Sequence, residues 1–145
     1  MEDSFEVSQA DGQRLRLGNY EPLLQLAAGG MAAVYVARQI GAAGFERLVV
    51  IKRIHRHLLG NVAFHDMLRE EARVASHIHH PNVVPVIDVI EWEGELLLVM
   101  EYVDSASLGM LLKSVAARGQ RLAASVAVRI VADTLAGLQS KDDDG

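Results

Sequence analysis

Three groups of residues in this chain are of the right type to handle an anion. The first is the lysine that closes Val49-Val50-Ile51-Lys52. That β-branched, apolar run predicts a strand, and a strand alternates its faces. Val50, Lys52 and Ile54 then share one face, and Val49, Ile51 and Arg53 share the other. A lysine on an apolar face either snorkels to water or meets an anion. The second group is the glycine-bearing turn upstream, Leu26-Ala27-Ala28-Gly29-Gly30-Met31-Ala32-Ala33-Val34. Bare N–H groups near a glycine can approach oxygens closely. The third is Glu71. Phe64, Leu68, Glu71, Ala75 and Ile78 are spaced 4, 3, 4 and 3 apart, so they lie on one helical face. A carboxylate in that stripe is costly unless paired, and Lys52 is its candidate partner. Glu70 and Asp66 fall off the stripe and need no partner. Singly, each group also has an ordinary reading: a strand-end lysine reaching solvent, a hairpin turn, a surface glutamate.

These residues need elements to hold them. The stretch Tyr20–Leu26 reads as a strand, and Pro22 places it at a sheet edge. Val34–Arg38 is a second strand, joined to the first by the Gly-Gly turn. Gly41–Gly44 is a loop, and the lysine strand follows at about 47–54. Three strands with short connections predict an antiparallel meander. A helix runs from Phe64 to Ile78 and stops at His80-Pro81-Asn82. Val83–Ile90 and Leu96–Val103 form a further hairpin around Glu93-Gly94, with Trp92 near its tip. Leu96–Met100 is apolar on both faces, the mark of a central strand. Asp104–Ser107 is a polar break. Beyond it lie a helix at Leu108–Ala117, ended by Gly119, and one at about Ala123–Leu138. The second carries Val126, Ile130, Val131, Leu135 and Leu138 as candidate buried positions, and an acidic tail, Asp142–Asp144, follows.

The bulk properties exclude several classes. At 145 residues the chain can build one real core. A net charge of −5 without a basic stripe argues against a nucleic-acid surface. With no cysteine there is no disulfide, thiolate metal site or cysteine nucleophile. No apolar run approaches the roughly 20 residues of a membrane span, and the polar start is unlike a secretory signal, so the cytoplasm is the expected compartment. His55 and His57 have the H-x-H spacing of zinc ligands but lack a companion set, so they read as loop residues and no metal is expected.

Glycine turn, strand lysine and helix glutamate occur here in the order of a protein kinase small lobe. Five strands, one helix after the third, a polar hinge and then helices complete that order. The sequence resembles bacterial serine/threonine protein kinases of the eukaryotic-like type, from about Leu17 to Leu138. The resemblance covers the first half of a kinase domain. It implies an α+β fold: a five-stranded antiparallel sheet with one main helix, followed by two helices of an incomplete large lobe. The implied organisation is a flexible leader at 1–15, a small lobe at 16–103, and the hinge exit with large-lobe helices at 104–145.

The implied ligand is ATP, and each contact is carried over on a matching residue. The family's G-x-G-x-x-G-x-V loop falls on Ala27, Gly29, Ala32 and Val34, so two of its three glycines are alanine. Gly30 adds freedom to the same loop. Lys52 pairs with the α- and β-phosphates and with Glu71. Leu26, Val34 and Val50 form the adenine roof, with Val50 where the family usually has alanine. Met100 is the gatekeeper. The carbonyl of Glu101 and the N–H of Val103 bond the adenine edge, and Ser107 lies near the ribose. With the loop weakened by Ala27 and Ala32, ATP is expected to gain little over adenosine.

No His-Arg-Asp and no Asp-Phe-Gly occurs in the chain, so the catalytic base and the Mg²⁺ ligands of the complete family are absent. Phosphoryl transfer then belongs to a longer protein, whose remaining large lobe or a protein partner completes the fold. Two other readings stay open: a non-catalytic, pseudokinase-like module for nucleotide or protein binding, and an unrelated α+β domain with a structural lysine.

Overall fold

The computed structural model describes residues 15–55 and 62–140, without the side chains at 62–65 and 71. The leader at 1–14, His57, the Phe64 and Glu71 side chains and the acidic tail therefore lie outside the described residues. The strands are β1 (Tyr20–Ala28), β2 (Ala32–Ile40), β3 (Glu46–Ile54), β4 (Val86–Trp92) and β5 (Glu95–Glu101). The helices are α1 (Val62–His77), α2 (Leu108–Ala117) and α3 (Ala124–Gln139). The chain divides into two units. One holds residues up to 77 together with 85–102, and the other holds 78–84 with the residues from 103 on.

In the first unit all five strands form one antiparallel sheet of order β1-β2-β3-β5-β4. The first three make the expected meander, with a short 3-10 turn at Ala42–Gly44 between β2 and β3. Strand β1 is at an edge, where Pro22 costs no ladder bond on its outer side. Strand β5 is central, and Leu96, Leu97 and Val99 are fully buried in it. The β4–β5 turn puts both Glu93 (φ 49°) and Gly94 (φ 77°) in the left-handed region, as a two-residue hairpin turn demands.

The core lies on one face of this sheet. Leu17, Tyr20, Ala37, Val49, Ile51, Leu97 and Val99 form it, with Leu15, Ile87, Ile90 and Trp92 packed against them. Trp92 thus covers core at the base of the hairpin tip. The sheet curls enough for its two edge strands to meet: the Tyr20 hydroxyl on β1 donates to Asp88 Oδ2 on β4 at 3.0 Å.

Some boundaries differ from the sequence expectation. Strand β4 begins at Val86 and not Val83, because the Val83 N–H is taken by the His80 carbonyl in a turn (3.0 Å) and Pro85 intervenes. Strand β5 stops at Glu101, two residues short of Val103. Helix α1 stops at His77, so Ile78 is buried outside it. Along α1 Ala72 is buried, and Leu68 and Ala75, two positions of the expected stripe, are half-buried. Glu70 lies off that stripe and pairs with Arg73 at 2.6 Å, which holds its carboxyl below the usual range.

In the second unit the segment 78–84 lies against α3. Asn82 Nδ2 donates to the Asp133 carbonyl at 2.9 Å. Gly137 is where the segment crosses: a Cβ there would stand 3.1 Å from the Asn82 carbonyl oxygen. The other apolar positions of α2 and α3 are mostly open, and Leu108, Met110, Leu112, Val126, Val131, Leu135 and Leu138 are all exposed.

Candidate nucleotide site

Strand register brings most of the expected site residues onto the sheet face opposite the core. Val34 stands directly across from Lys52, and Lys52 across from Leu98. Ala27 stands across from Val34. These four form one row over β1, β2, β3 and β5. The adjacent row is Leu24, Val36, Val50, Met100 and Val86. The row pattern follows from the alternation that puts Val50 and Lys52 on one side of β3. Val34, Val50 and Met100 are half-buried, whereas Leu26 and Lys52 are exposed. An ammonium emerging from an apolar row, with glycine backbone at one end, can hold an anion without leaving its apolar stem uncovered. Among the described residues Lys52 makes no ion pair. The backbone places Glu71 in the helix that follows β3, and its side chain lies outside the described residues.

The glycine turn is short, because β1 runs to Ala28 and β2 resumes at Ala32. Ala27 and Ala32 are therefore ladder residues, paired with Val34 and Ile54. Within the turn the Gly29 N–H donates to the Ala32 carbonyl at 3.0 Å. Neither Gly29 nor Gly30 has a positive φ, so the turn does not use glycine for its dihedral freedom. Gly30 borders open space, since a Cβ there would meet nothing within 4 Å.

The remaining expected positions are placed one by one. Glu101 ends β5 opposite Val49, and its own N–H donates to the Pro85 carbonyl at 3.1 Å. Val103 is exposed, and its carbonyl accepts from the Ser105 N–H at 2.9 Å. Ser107 is the N-cap of α2, where its Oγ accepts from the Met110 N–H at 3.2 Å. Among the described residues there is no group of three or more His, Cys, Asp or Glu that could hold a metal ion.

Three features were missed by the sequence reading. Arg53 and Glu95 form a buried ion pair, with Arg53 Nη2 donating to Glu95 Oε1 at 2.8 Å and Nε to Oε2. The signal was present, since alternation put Arg53 on the apolar face of Val49 and Ile51, where a cation needs a carboxylate. Tyr20 is held by Asp88, and Gln39 Nε2 donates to its hydroxyl oxygen at 3.3 Å. Burial, then the Asp88 hydrogen bond and charge, push the phenol up to about 12. Third, His55 is bonded to the glycine turn through both its ring and its backbone. No sequence signal could show this, because the acceptors are carbonyls.

A curled five-stranded sheet with one helix, a glycine turn and a lysine opposite it define a kinase-type small lobe. The chain belongs to the protein kinase domain family, whose pattern matches residues 20–140. It is 37% identical over 121 residues to Tyrosine-protein kinase MasK of Myxococcus xanthus, covering 83% of this chain and 19% of that protein. It is 33% identical over 138 residues to Serine/threonine-protein kinase PksC of Streptomyces coelicolor, covering 92% of this chain and 24% of that protein. The fold is that of the Mycobacterium tuberculosis PknI kinase domain, with a TM-score of 0.72 at 23% identity, over 90% of this chain and 51% of that one. The chain thus spans about a fifth to a quarter of these relatives' length and about half of the solved kinase domain. Among the described residues no helix is long and apolar enough to cross a membrane.

Proposed function

We propose that this chain is the ATP-binding portion of a serine/threonine protein kinase. The observation that carries this reading is the row Ala27–Val34–Lys52–Leu98, flanked by Val50 and Met100, under an open glycine turn. Val34, Val50 and Leu26 would cover adenine, Met100 would close its rear, and backbone at Glu101 and Val103 would read its edge. Lys52 would hold phosphate, steadied by Glu71. Ser107 already caps a helix, so its part toward ribose would be shared with that bond. The nucleotide supplies the phosphoryl group. This chain's residues bind and orient it, and the base and Mg²⁺ ligands come from a longer protein acting in the cytoplasm. The 145-residue chain alone is expected to transfer no phosphate to a generic acceptor. The acceptor is serine or threonine on this reading; the tyrosine in the name of MasK supports the competing one, and phosphoamino-acid analysis of the longer protein separates them.

Calorimetry tests the site. ATP is expected to bind, and Lys52→Ala to weaken it about tenfold, the worth of one charge-assisted hydrogen bond. Absence of any adenine-nucleotide binding, or an unchanged affinity in the variant, overturns the proposal. A non-catalytic interaction module is the second reading, favoured by the exposed apolar side chains of α2 and α3. Nucleotide-independent capture of a protein partner by that surface would support it.

A further inference from the structure

We infer that His55 is a latch that sets the conformation of the glycine turn, and so a positioning residue for the phosphates of the bound nucleotide. The inference rests on the nucleotide reading above and adds to it a residue outside the loop, strand-lysine and helix-glutamate set.

The geometry is a staple. His55 is the first residue after β3, and Ile54 before it pairs with Ala32 at the start of β2. The His55 N–H donates to the Met31 carbonyl at 3.1 Å, which extends the ladder one step into the turn. Its ring Nε2 lies 2.8 Å from the Gly29 carbonyl oxygen. A carbonyl only accepts, so Nε2 carries the proton and donates. Both ends of Gly29-Gly30-Met31 are thereby tied to the same residue, while the Gly29 N–H is held by Ala32. A three-residue turn with a glycine pair has few other restraints and much backbone entropy to lose.

The latch has a consequence for anion binding. In a trans peptide the N–H points opposite to the C=O. Tying the Gly29 carbonyl to His55 therefore turns the Gly30 N–H away from His55. By alternation His55 continues the Arg53 side of β3, and Lys52 belongs to the other. The amide is then offered on the lysine side. A preset amide costs less to use than one that must be ordered on binding. Ala27 and Ala32 led the sequence reading to expect little gain of ATP over adenosine. The latch predicts a clear preference for ATP.

The test uses the 145-residue chain with His55→Ala and His55→Gln, whose side-chain amide can also donate to a carbonyl. Hydrogen exchange without nucleotide is read at the Gly29 amide, and calorimetry compares ATP with adenosine. In His55→Ala the Gly29 amide should exchange faster while the Val50 and Leu98 amides keep their protection. ATP should weaken by roughly three- to tenfold, the range of one hydrogen bond, with adenosine within about twofold. His55→Gln should recover most of both effects. An unchanged turn in His55→Ala overturns the latch. A loosened turn with unchanged ATP affinity, or equal loss for ATP and adenosine, overturns the phosphate role. If the unaltered chain binds neither ligand, the nucleotide reading itself fails, and the phosphate role falls with it. Ordinary ATP binding that His55→Ala leaves untouched overturns only the inference about His55.

Discussion

Tyr20 carries the pH dependence that one residue can give this fold. Tyr20 is buried and its hydroxyl donates to Asp88, so the neutral phenol is the form the folded state keeps. Burial and Asp88 raise it to about 12, against an ordinary value near 10. The folded value is the higher one, so the contribution is fully present below about pH 10 and is lost as pH rises through about 12. The whole contribution is about 3 kcal/mol, at roughly 1.4 kcal/mol per unit. Tyr20→Phe should flatten this alkaline decline and cost about 1 kcal/mol at neutral pH by removing the donor to Asp88 Oδ2, while Oδ1 keeps the Val89 N–H. Urea unfolding of both proteins at a series of alkaline pH values checks it. An equally steep decline in the phenylalanine variant would show that Tyr20 is not the titrating group.

At the scale of elements, the join between β3 and β5 matters most, because it carries Lys52 on one strand and leads to the hinge on the other. Val49 to Arg53 pair with Glu101 to Leu97 there. The Arg53–Glu95 pair bridges the same two strands on the core face, at 5% and 1% exposure. A buried pair adds little over apolar residues of the same size, yet removing one partner strands a charge. Glu95→Ala is expected to cost about 3–5 kcal/mol, a large share of a domain's stability. The double change Arg53→Met with Glu95→Leu should regain most of it. Denaturant midpoints of the single and double variants decide the matter. A loss below about 1 kcal/mol in the single variant would mean that the guanidinium reaches water, and the buried-pair account would fail.

For the molecule as a whole, the sheet and the late helices differ in cover. The first unit buries a shared core. In α2 and α3, by contrast, Gly137 is the one buried residue. Each large apolar side chain left wet forfeits about 1.5–3 kcal/mol of burial, and a contiguous patch of them marks an interface. The chain covers about half of a solved kinase domain. The isolated chain is therefore expected to show weak exchange protection at 124–139 and strong protection in β3 and β5, or to self-associate as concentration rises. Hydrogen exchange on a monomer proven by light scattering checks this. Equal protection of helix and sheet in that monomer would show that α3 finds sufficient cover inside the chain.

The strand order of the meander, the helices and the rows of the candidate site were all legible in the amino-acid order. The reason is that these rest on local rules: alternation put Val50 and Lys52 on one face, and polar breaks ended elements near Asp104 and Gly119. That no His-Arg-Asp and no Asp-Phe-Gly occurs among these 145 residues likewise needs no coordinates to be seen. Tertiary structure decided the partners. Arg53 and Glu95 are 42 residues apart, and Tyr20 and Asp88 are 68 apart. Such pairs depend on sheet order and curl, which no single stretch encodes. The start of β4 depended on a turn that took the Val83 amide. The bond from His55 to Gly29 is the clearest case. A backbone carbonyl has no side-chain identity to read, so only the three-dimensional return of β3 beside the glycine turn could bring that donor and acceptor together.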